Sequence, residues 1–305
     1  MARRSLLARG LLDRPNDRSL HSVPVPRIGG IGIVAGLIAH WCVAPALPPA
    51  IQTALLAYLV LAALSWMDDR YGLSPLVRLG THLLVSAGWL TWLGLPVALV
   101  AALTFVVAWS TNLYNFMDGA DGLAGCMAVS GFGAYGWLAW TAGDFGLAAL
   151  AAAIVLAALA FLFFNWPQAS MFLGDSGSIP LGFLAAAIGI YGWRNQLWAW
   201  HLPIIVFFPF LFDASYTLVR RMSAGKLPWQ AHREHLYQQL VLSGRGHRGL
   251  LAWELPMMAL CAVLGVFTSS GPDTGPFILA ALIVVALYLA RRITQMDRPP
   301  EAKEQ

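Results

Sequence analysis

Charge is what this chain has least of. Only 11% of its 305 residues are Asp, Glu, Lys or Arg, against 58% hydrophobic, where a soluble domain carries roughly 25% charged residues. That shortage excludes a large water-soluble core and leaves a polytopic membrane protein. Cysteine is scarce as well. Cys42, Cys126 and Cys261 are an odd set in or beside apolar runs, which argues against both a disulfide framework and a cysteine metal site. A secretory leader is not expected, because the apolar stretch after Arg3 and Arg4 is too short and runs into polar sequence. There is no internal repeat and no low-complexity tract. The net charge of +4 does not point to nucleic acid, since the basic residues sit beside apolar spans, and no nucleic-acid partner is expected.

What the chain does have is a series of apolar runs, each near the roughly 20 residues that a membrane crossing needs. Ten are expected as helices, at 29–47, 51–67, 80–94, 96–111, 122–142, 146–164, 179–193, 197–218, 249–269 and 275–292. The third and fourth are short and could instead be one kinked helix across Gly94-Leu95-Pro96. Charge decides for two. With ten spans, the N-terminal segment 1–28, the loops 68–79, 112–121, 165–178 and 219–248, and the tail 293–305 share one side with their flanks. That side holds 18 of the 19 Lys and Arg, Arg194 alone facing the other way. Positive charge accumulates in the cytoplasm, so the expectation is an all-α bundle of about ten transmembrane helices, 29–292, with both termini cytoplasmic. A short amphipathic helix is expected near Trp229 to Leu242.

Five polar stretches interrupt the apolar sequence, and all fall on that cytoplasmic side. They are His21-Ser-Val-Pro-Val-Pro-Arg27-Ile-Gly-Gly30, Trp66-Met-Asp68-Asp69-Arg70, Asn112-Leu-Tyr-Asn115-Phe-Met-Asp118-Gly-Ala-Asp121-Gly122, Phe172-Leu-Gly-Asp175-Ser-Gly177 and His232-Arg233-Glu-His235. Acids beside apolar spans are costly and are functional by default. Asp68 and Asp69 suit a cation, or form a solvated helix end paired with Arg70. Asn112, Asn115, Asp118 and Asp121 recur every third residue, as along one helical face, and glycines 119 and 122 admit a ligand. Asp175 and Ser176 can cap a helix or open a phosphate site, and Asn165 adds an amide upstream. His232 and His235 with Arg233, Arg220, Arg221 and Lys226 form either a hydrated basic surface or a diphosphate site; the spacing does not suit a metal. Asp213 can pair with Arg220 or Arg221. His40, His82 and His201 read as packing residues.

From Gly10 to Gln239 this motif set resembles the polyprenyl-phosphate N-acetylhexosamine-1-phosphate transferases of glycosyltransferase family 4. That family includes the undecaprenyl-phosphate GlcNAc-1-phosphate transferases and phospho-MurNAc-pentapeptide transferase. The resemblance implies transfer of a sugar 1-phosphate from a UDP-N-acetylhexosamine to a polyprenyl phosphate, with release of UMP. It implies Mg²⁺ or a substitute Mn²⁺, a bacterial inner-membrane location with a cytoplasmic site, and a homodimer. By position Asp175 matches the metal-binding Asp. Asp68, Asp69 and Asp118 match the catalytic carboxylates. Asn115, Asp118 and Asp121 fit the pattern Asn-x-x-Asp-Gly-x-Asp-Gly. Asp121, Asn165 and Phe172 match the nucleoside set, and His232, Arg233 and His235 the His motif; His21, Arg27 and Asn112 are expected to bind substrate too. The His-Arg-Glu-His form is nearer the branch that initiates O-antigen or exopolysaccharide than the peptidoglycan branch. Family members commonly carry one more helix before the His-x-x-Pro-x-Pro motif, where this sequence is polar or mixed; the expectation is either a segment that starts in the cytosol or a start codon placed too late. A transporter or flippase is the rival reading of intramembrane acids, but it would place them near the midplane of repeated halves.

Overall fold

A computed structural model describes residues 12–15, 19–44, 47–227, 230, 232–269, 271 and 274–296. The sequence before Leu12, the tail after Met296 and Trp229, each assigned a place above, lie outside the described residues. Among the described residues the fold is all-α apart from a two-residue antiparallel pair, β1 (Leu12–Asp13) with β2 (Val25–Pro26), and an isolated bridge between Arg27 and Phe172. The helices are α1 (Gly29–Val43), α2 (Pro49–Tyr71), α3 (Pro75–Trp92), α4 (Val97–Phe116), α5 (Leu123–Thr141), α6 (Phe145–Asn165) and α7 (Asp175–Arg194). They continue as α8 (Leu202–Val206), α9 (Phe208–Ser223), α10 (Leu236–Leu240), a π-helical turn over Val241–Arg245, α11 (Gly246–Thr268) and α12 (Gly275–Met296).

Each apolar run seen in the sequence thus contains helix, and among the described residues six helical segments are long and apolar enough to cross a membrane. These are α2, α4, α6, α7, Leu236–Thr268 and most of α12; α1 is apolar but shorter. The protein is a multi-pass membrane protein. Phe163 (82% exposed) and Phe267 (82% exposed) show why: side chains of that size would be costly to leave in water, and lipid accepts them.

The third and fourth runs are two helices, as expected, separated by Gly94 at φ +69° and Pro96. Three features differ from expectation. The eighth run is broken at Phe207 into α8 and α9, because Pro209 has no N–H to give to Ile205 and cannot continue the first helix. The helix expected around Trp229 to Leu242 is only the five-residue α10. Most tellingly, α2, α4 and α7 run further toward the polar stretches than their apolar runs do. Asp68, Asp69, Asn112, Asn115 and Asp175 therefore lie in terminal helical turns.

Helix α7 is the axis of the bundle. Of its apolar window 89% is buried inside the protein, against 17% for α12, which lies at the periphery. Small residues allow this. A Cβ at Gly182 would sit 2.5 Å from the Ser110 carbonyl, so only glycine lets α4 and α7 touch here. Because α7 starts at Asp175, the most immobilised element of the fold delivers that carboxylate.

Candidate active site

The Arg27-Ile-Gly-Gly30 and Phe172-to-Gly177 stretches dock as one unit. Phe172 N–H donates to the Pro26 carbonyl (2.9 Å), Gly29 N–H to the Phe172 carbonyl (3.0 Å) and Gly30 N–H to the Leu173 carbonyl (2.8 Å). A Cβ on Gly177 would come within 2.7 Å of Gly30 Cα, so the glycines of the two motifs exist to let two backbones meet. Gly174, at φ +75°, turns the chain into α7.

Above this junction opens a cavity of about 360 Å³. His21, Arg27, Asn115, Asp118, Asp121, Asn165, Phe172, Asp175 and His232 all line it. Nine of the residues singled out in the sequence therefore meet in one place, although they come from the N-terminal segment, α4, α6, α7 and three connecting segments.

The carboxylates are differently held. Asp69 is almost fully buried (3% exposed); its Oδ2 accepts the Ser176 N–H (3.2 Å), and Arg27 Nη1 lies 3.8 Å from its Oδ1. It caps the positive end of α7, where a negative charge is favoured. Asp68 accepts the Leu73 N–H (2.5 Å) and an Arg78 guanidinium N–H (3.0 Å). The same Arg78 Nη1 lies 3.5 Å from Asp175 Oδ2, so one guanidinium bridges α2 and α7. Arg70, the expected partner of the pair, instead lies 5.7 Å from the Trp66 and Tyr71 rings, facing outward. Asp118 is pushed well above the usual carboxylate range, first by burial and then by the Asp175 and Asp69 carboxylates, with Arg27 opposing.

The Asn/Asp ladder does not lie on one helical face. α4 ends at Phe116, so Asn112 and Asn115 are helical while Asp118 and Asp121 come from the following turn. Asn115 Oδ1 accepts from Ser178 Oγ (2.7 Å). Asn165 accepts the Gly122 N–H (2.8 Å) and donates to the Met171 carbonyl (2.8 Å). Asp121 Oδ2 accepts the Ala169 N–H (3.0 Å). These groups pin the turn after α4 to the α6–α7 connection. His21 packs edge-on against Phe172, ring centroids 4.9 Å apart, and its buried Nε2 has no hydrogen-bond partner among the described residues.

Five expected residues are not in the cavity wall: Asp68 and Asp69, held as described above, and Asn112, Arg233 and His235. Asn112 gives its amide to His82 Nδ1 (3.0 Å) and the Ala108 carbonyl (2.7 Å). Arg233 is exposed. His235 is buried against Asp213, Nδ1 to Oδ1 3.2 Å. Nor do the basic neighbours form a phosphate cluster, because Glu234 takes them: its carboxylate binds Arg221 and Lys226 (3.0 Å), and its carbonyl accepts from Arg220 (2.6 Å). Asp213 pairs with neither arginine. His232 does line the cavity. Burial, with His235 and Arg221 facing it, lowers its pKa to about 4, and its Nδ1 accepts the Glu234 N–H (3.2 Å). That leaves Nε2–H as a neutral donor.

Sequence reasoning missed Arg78, Asp13, Gln238 and His247. Asp13 Oδ1 binds Arg27 (2.5 Å). His247 Nδ1 accepts the Asp121 N–H (2.9 Å) and its Nε2 faces the Leu20 carbonyl (3.3 Å). Arg78 sits next to a signal that was present, the basic count of loop 68–79. Asp13 and His247 carry no motif and are recognisable only once folded.

The carboxylate oxygens of Asp118 and Asp175 are hard donors of the type Mg²⁺ takes. Among the described residues no three His, Cys, Asp or Glu groups converge to hold a metal ion by themselves. This suits a cation that keeps its waters and shares a substrate phosphate, not an all-protein cage.

Comparison with known proteins bears on the same residues. The model of glycosyl transferase family 4 matches residues 51–193, the stretch from the start of α2 to the end of α7 that carries Asp68 to Asp175. The chain is 28% identical to a probable undecaprenyl-phosphate N-acetylglucosaminyl 1-phosphate transferase of Bacillus subtilis, over 78% of this chain and 72% of that one. It is 27% identical to decaprenyl-phosphate N-acetylglucosaminephosphotransferase of Mycobacterium tuberculosis H37Rv, over 91% and 81%. It is 25% identical to undecaprenyl-phosphate alpha-N-acetylglucosaminyl 1-phosphate transferase of Escherichia coli K12, over 92% and 82%. Acidic motifs gathered in one cavity, residues 51–193 matched to glycosyl transferase family 4 and most of the chain's length similar to these relatives together support the family of polyprenyl-phosphate N-acetylglucosamine-1-phosphate transferases.

Proposed function

We propose that this protein transfers N-acetylhexosamine 1-phosphate from a UDP-sugar to a polyprenyl phosphate, releasing UMP and starting a lipid-linked envelope glycan of the O-antigen or exopolysaccharide type. The reaction takes place at the cytoplasmic face of a bacterial inner membrane. The observation that carries this reading is the gathering of Asp118, Asp121 and Asp175 with Arg27, His21 and His232 in a single cavity at one end of the helices. A transporter would need such groups near mid-membrane, and these lie at helix termini.

Phosphoryl transfer depends mainly on positioning and on offsetting charge. An acceptor phosphate oxygen attacks the sugar-bearing phosphorus, a P–O bond forms, and the bond to UMP breaks. Asp175, with Asp118 beside it, would hold Mg²⁺, which when bound would supply positive charge to offset that of the diphosphate. Arg27 and the Nε2–H of His232 hold diphosphate oxygens. Phe172, Asn165 and Asp121 form the nucleoside end. The acceptor has a second pKa of about 6 and reaches the site largely as a dianion, so no strong base is required. That agrees with the geometry of Asp68 and Asp69, whose oxygens are already engaged by Arg78, Leu73 and the start of α7. We assign them to fixing Arg78 and α7, and Arg78 to meeting the acceptor phosphate.

Purified protein supplied with Mg²⁺, polyprenyl phosphate and a panel of UDP-N-acetylhexosamines should release UMP with at least one donor. A folded protein that releases none from any donor would overturn the proposal. Asp175→Asn should abolish turnover, and full retained activity would remove Asp175 from the metal site. Direct displacement also predicts that labelled UMP does not exchange into UDP-sugar without lipid; exchange would instead establish a phosphorylated enzyme.

A further inference from the structure

The chain after α9 returns to the reaction cavity twice beyond His232, at Gln238 and again at His247. His247 stands in the first turn of α11, outside every motif singled out in the sequence. Gly246, at φ +63°, turns the chain into that helix. Two residues of one helical face then meet the turn that follows α4. His247 Nδ1 accepts the Asp121 N–H (2.9 Å). One helical turn on, Leu251 packs so close to Gly122 that a Cβ there would lie 2.8 Å from its Cδ1. Asn165, at the end of α6, accepts the next N–H, that of Gly122 (2.8 Å). Consecutive amides of the Asp121 turn are thus held by α11 and by α6.

The other ring nitrogen fixes the tautomer. Nε2 faces the Leu20 carbonyl at 3.3 Å. A carbonyl only accepts, so Nε2 carries the proton and Nδ1 keeps its lone pair for Asp121. Both main-chain groups belong to peptides that lead directly to a cavity side chain. The Leu20 carbonyl is part of the peptide joined to His21, whose ring packs edge-on against Phe172. The Asp121 N–H leads to a carboxylate whose Oδ2 accepts the Ala169 N–H (3.0 Å) and whose Oδ1 lies 3.5 Å from His247 Nδ1. One imidazole therefore orients two wall segments, 19–21 and 120–122, that are distant in sequence. A residue that only packed the bundle would not divide its two nitrogens between main-chain groups of two cavity walls.

We propose that His247 is a positioning residue of the donor site. It holds Asp121 and His21, with the Phe172 ring beside His21, in the spacing that receives the nucleoside diphosphate, and it takes no part in the transfer step. The inference rests on the UDP-sugar reading given above. Arg78, to which the acceptor phosphate is assigned, is bound to Asp68 and Asp175 on α2 and α7, and neither of these is a partner of His247. Loss of the imidazole should therefore weaken the donor and spare the acceptor. Amide side chains divide its two contacts. Asn Oδ1 falls where Nδ1 stands and keeps the Asp121 acceptor, whereas Gln Nε2 falls where the ring Nε2 stands and keeps the Leu20 donor.

Two measurements on the full chain in detergent test this: steady-state UMP release with UDP-sugar and polyprenyl phosphate varied in turn, and backbone amide exchange. His247→Ala leaves the Asp121 N–H without its acceptor and should raise the donor KM about tenfold or more. In the same variant kcat and the acceptor KM should stay within about twofold of the parent. His247→Asn and His247→Gln should each recover part of the donor KM, and amide exchange should separate them. The Asp121 amide stays protected in His247→Asn and not in His247→Gln, while segment 19–21 exchanges faster in His247→Asn and not in His247→Gln. Helical circular dichroism and elution volume establish folding, and if His247→Ala does not fold the Asn and Gln variants carry the comparison. A fall in kcat at unchanged donor KM would give His247 a part in the transfer step. An equal rise in both KM values would make it a general support of the fold, and parent-like kinetics in folded His247→Ala would leave it without a role. Each of these overturns the proposal. A parent that releases no UMP from any donor overturns the transferase reading itself, and this inference with it.

Discussion

Not even a methyl group fits between the two backbones that make the floor of the reaction cavity. A Cβ at Gly30 would strike the Gly177 backbone, and one at Gly177 would meet Gly30 Cα at 2.7 Å. Neither backbone can yield without moving Asp175. Gly30→Ala should cost about 1–3 kcal/mol, the usual range for overpacking, seen as a lower Tm together with weaker donor binding. Gly36→Ala on the same helix meets only Ala157 Cβ at 3.6 Å and should change neither. His232 gives a second expectation. A histidine near its ordinary 6.5 gains charge as pH falls from 8 to 6. His232, lowered to about 4 by burial and by its neighbours, stays neutral through that range. Donor affinity measured by calorimetry should therefore show no His232-dependent rise toward pH 6, the control being His232→Gln; a rise that the variant abolishes would make imidazolium the bound form.

At the level of elements, helix ends matter more than helix middles. The apolar runs located the six helical segments long and apolar enough to cross a membrane among the described residues, because hydropathy depends only on the local residues. They stopped short at Asp68, Asn112 and Asp175, because what permits a helix to continue through acids is remote in sequence: Arg78 for Asp68, and the first amides of α7 for Asp69. In the His segment, His232 reaches the cavity, while Arg220 and Arg221 face Glu234 of the motif itself and the remote Asp213 is the anchor of His235. With no regular helix longer than α10 in this connection, that anchor carries much of its order. Asp213→Asn loses acceptor capacity toward the Leu236 and Tyr237 N–H groups and should cost about 1–3 kcal/mol, read as faster amide exchange over 236–240. Unchanged protection there would show that packing of Leu236 and Tyr237 suffices.

For the whole molecule, the sequence supplied the membrane class, the helical architecture and most of the cavity lining, since rare polar residues in an apolar chain stand out individually. It could not supply Asp13 or His247, which are ordinary residues until folding brings them to Arg27 and Asp121. Sidedness rests on the charge distribution and can be checked directly. In a Cys42→Ser background, Asn195→Cys should react with an impermeant maleimide in intact cells and Ser223→Cys only after lysis; the reverse pattern would invert the topology. Light scattering would test the expected homodimer. The contact between His247 and the Leu20 carbonyl spans 227 residues, and the one between Phe172 and Pro26 closes a loop through six helices. Such distant pairings form late, after loop closure has been offset by other contacts. During synthesis the cavity is therefore incomplete until the helix carrying His247 has left the ribosome, and a nascent chain halted before that point lacks the wall that His247 and Leu20 close together.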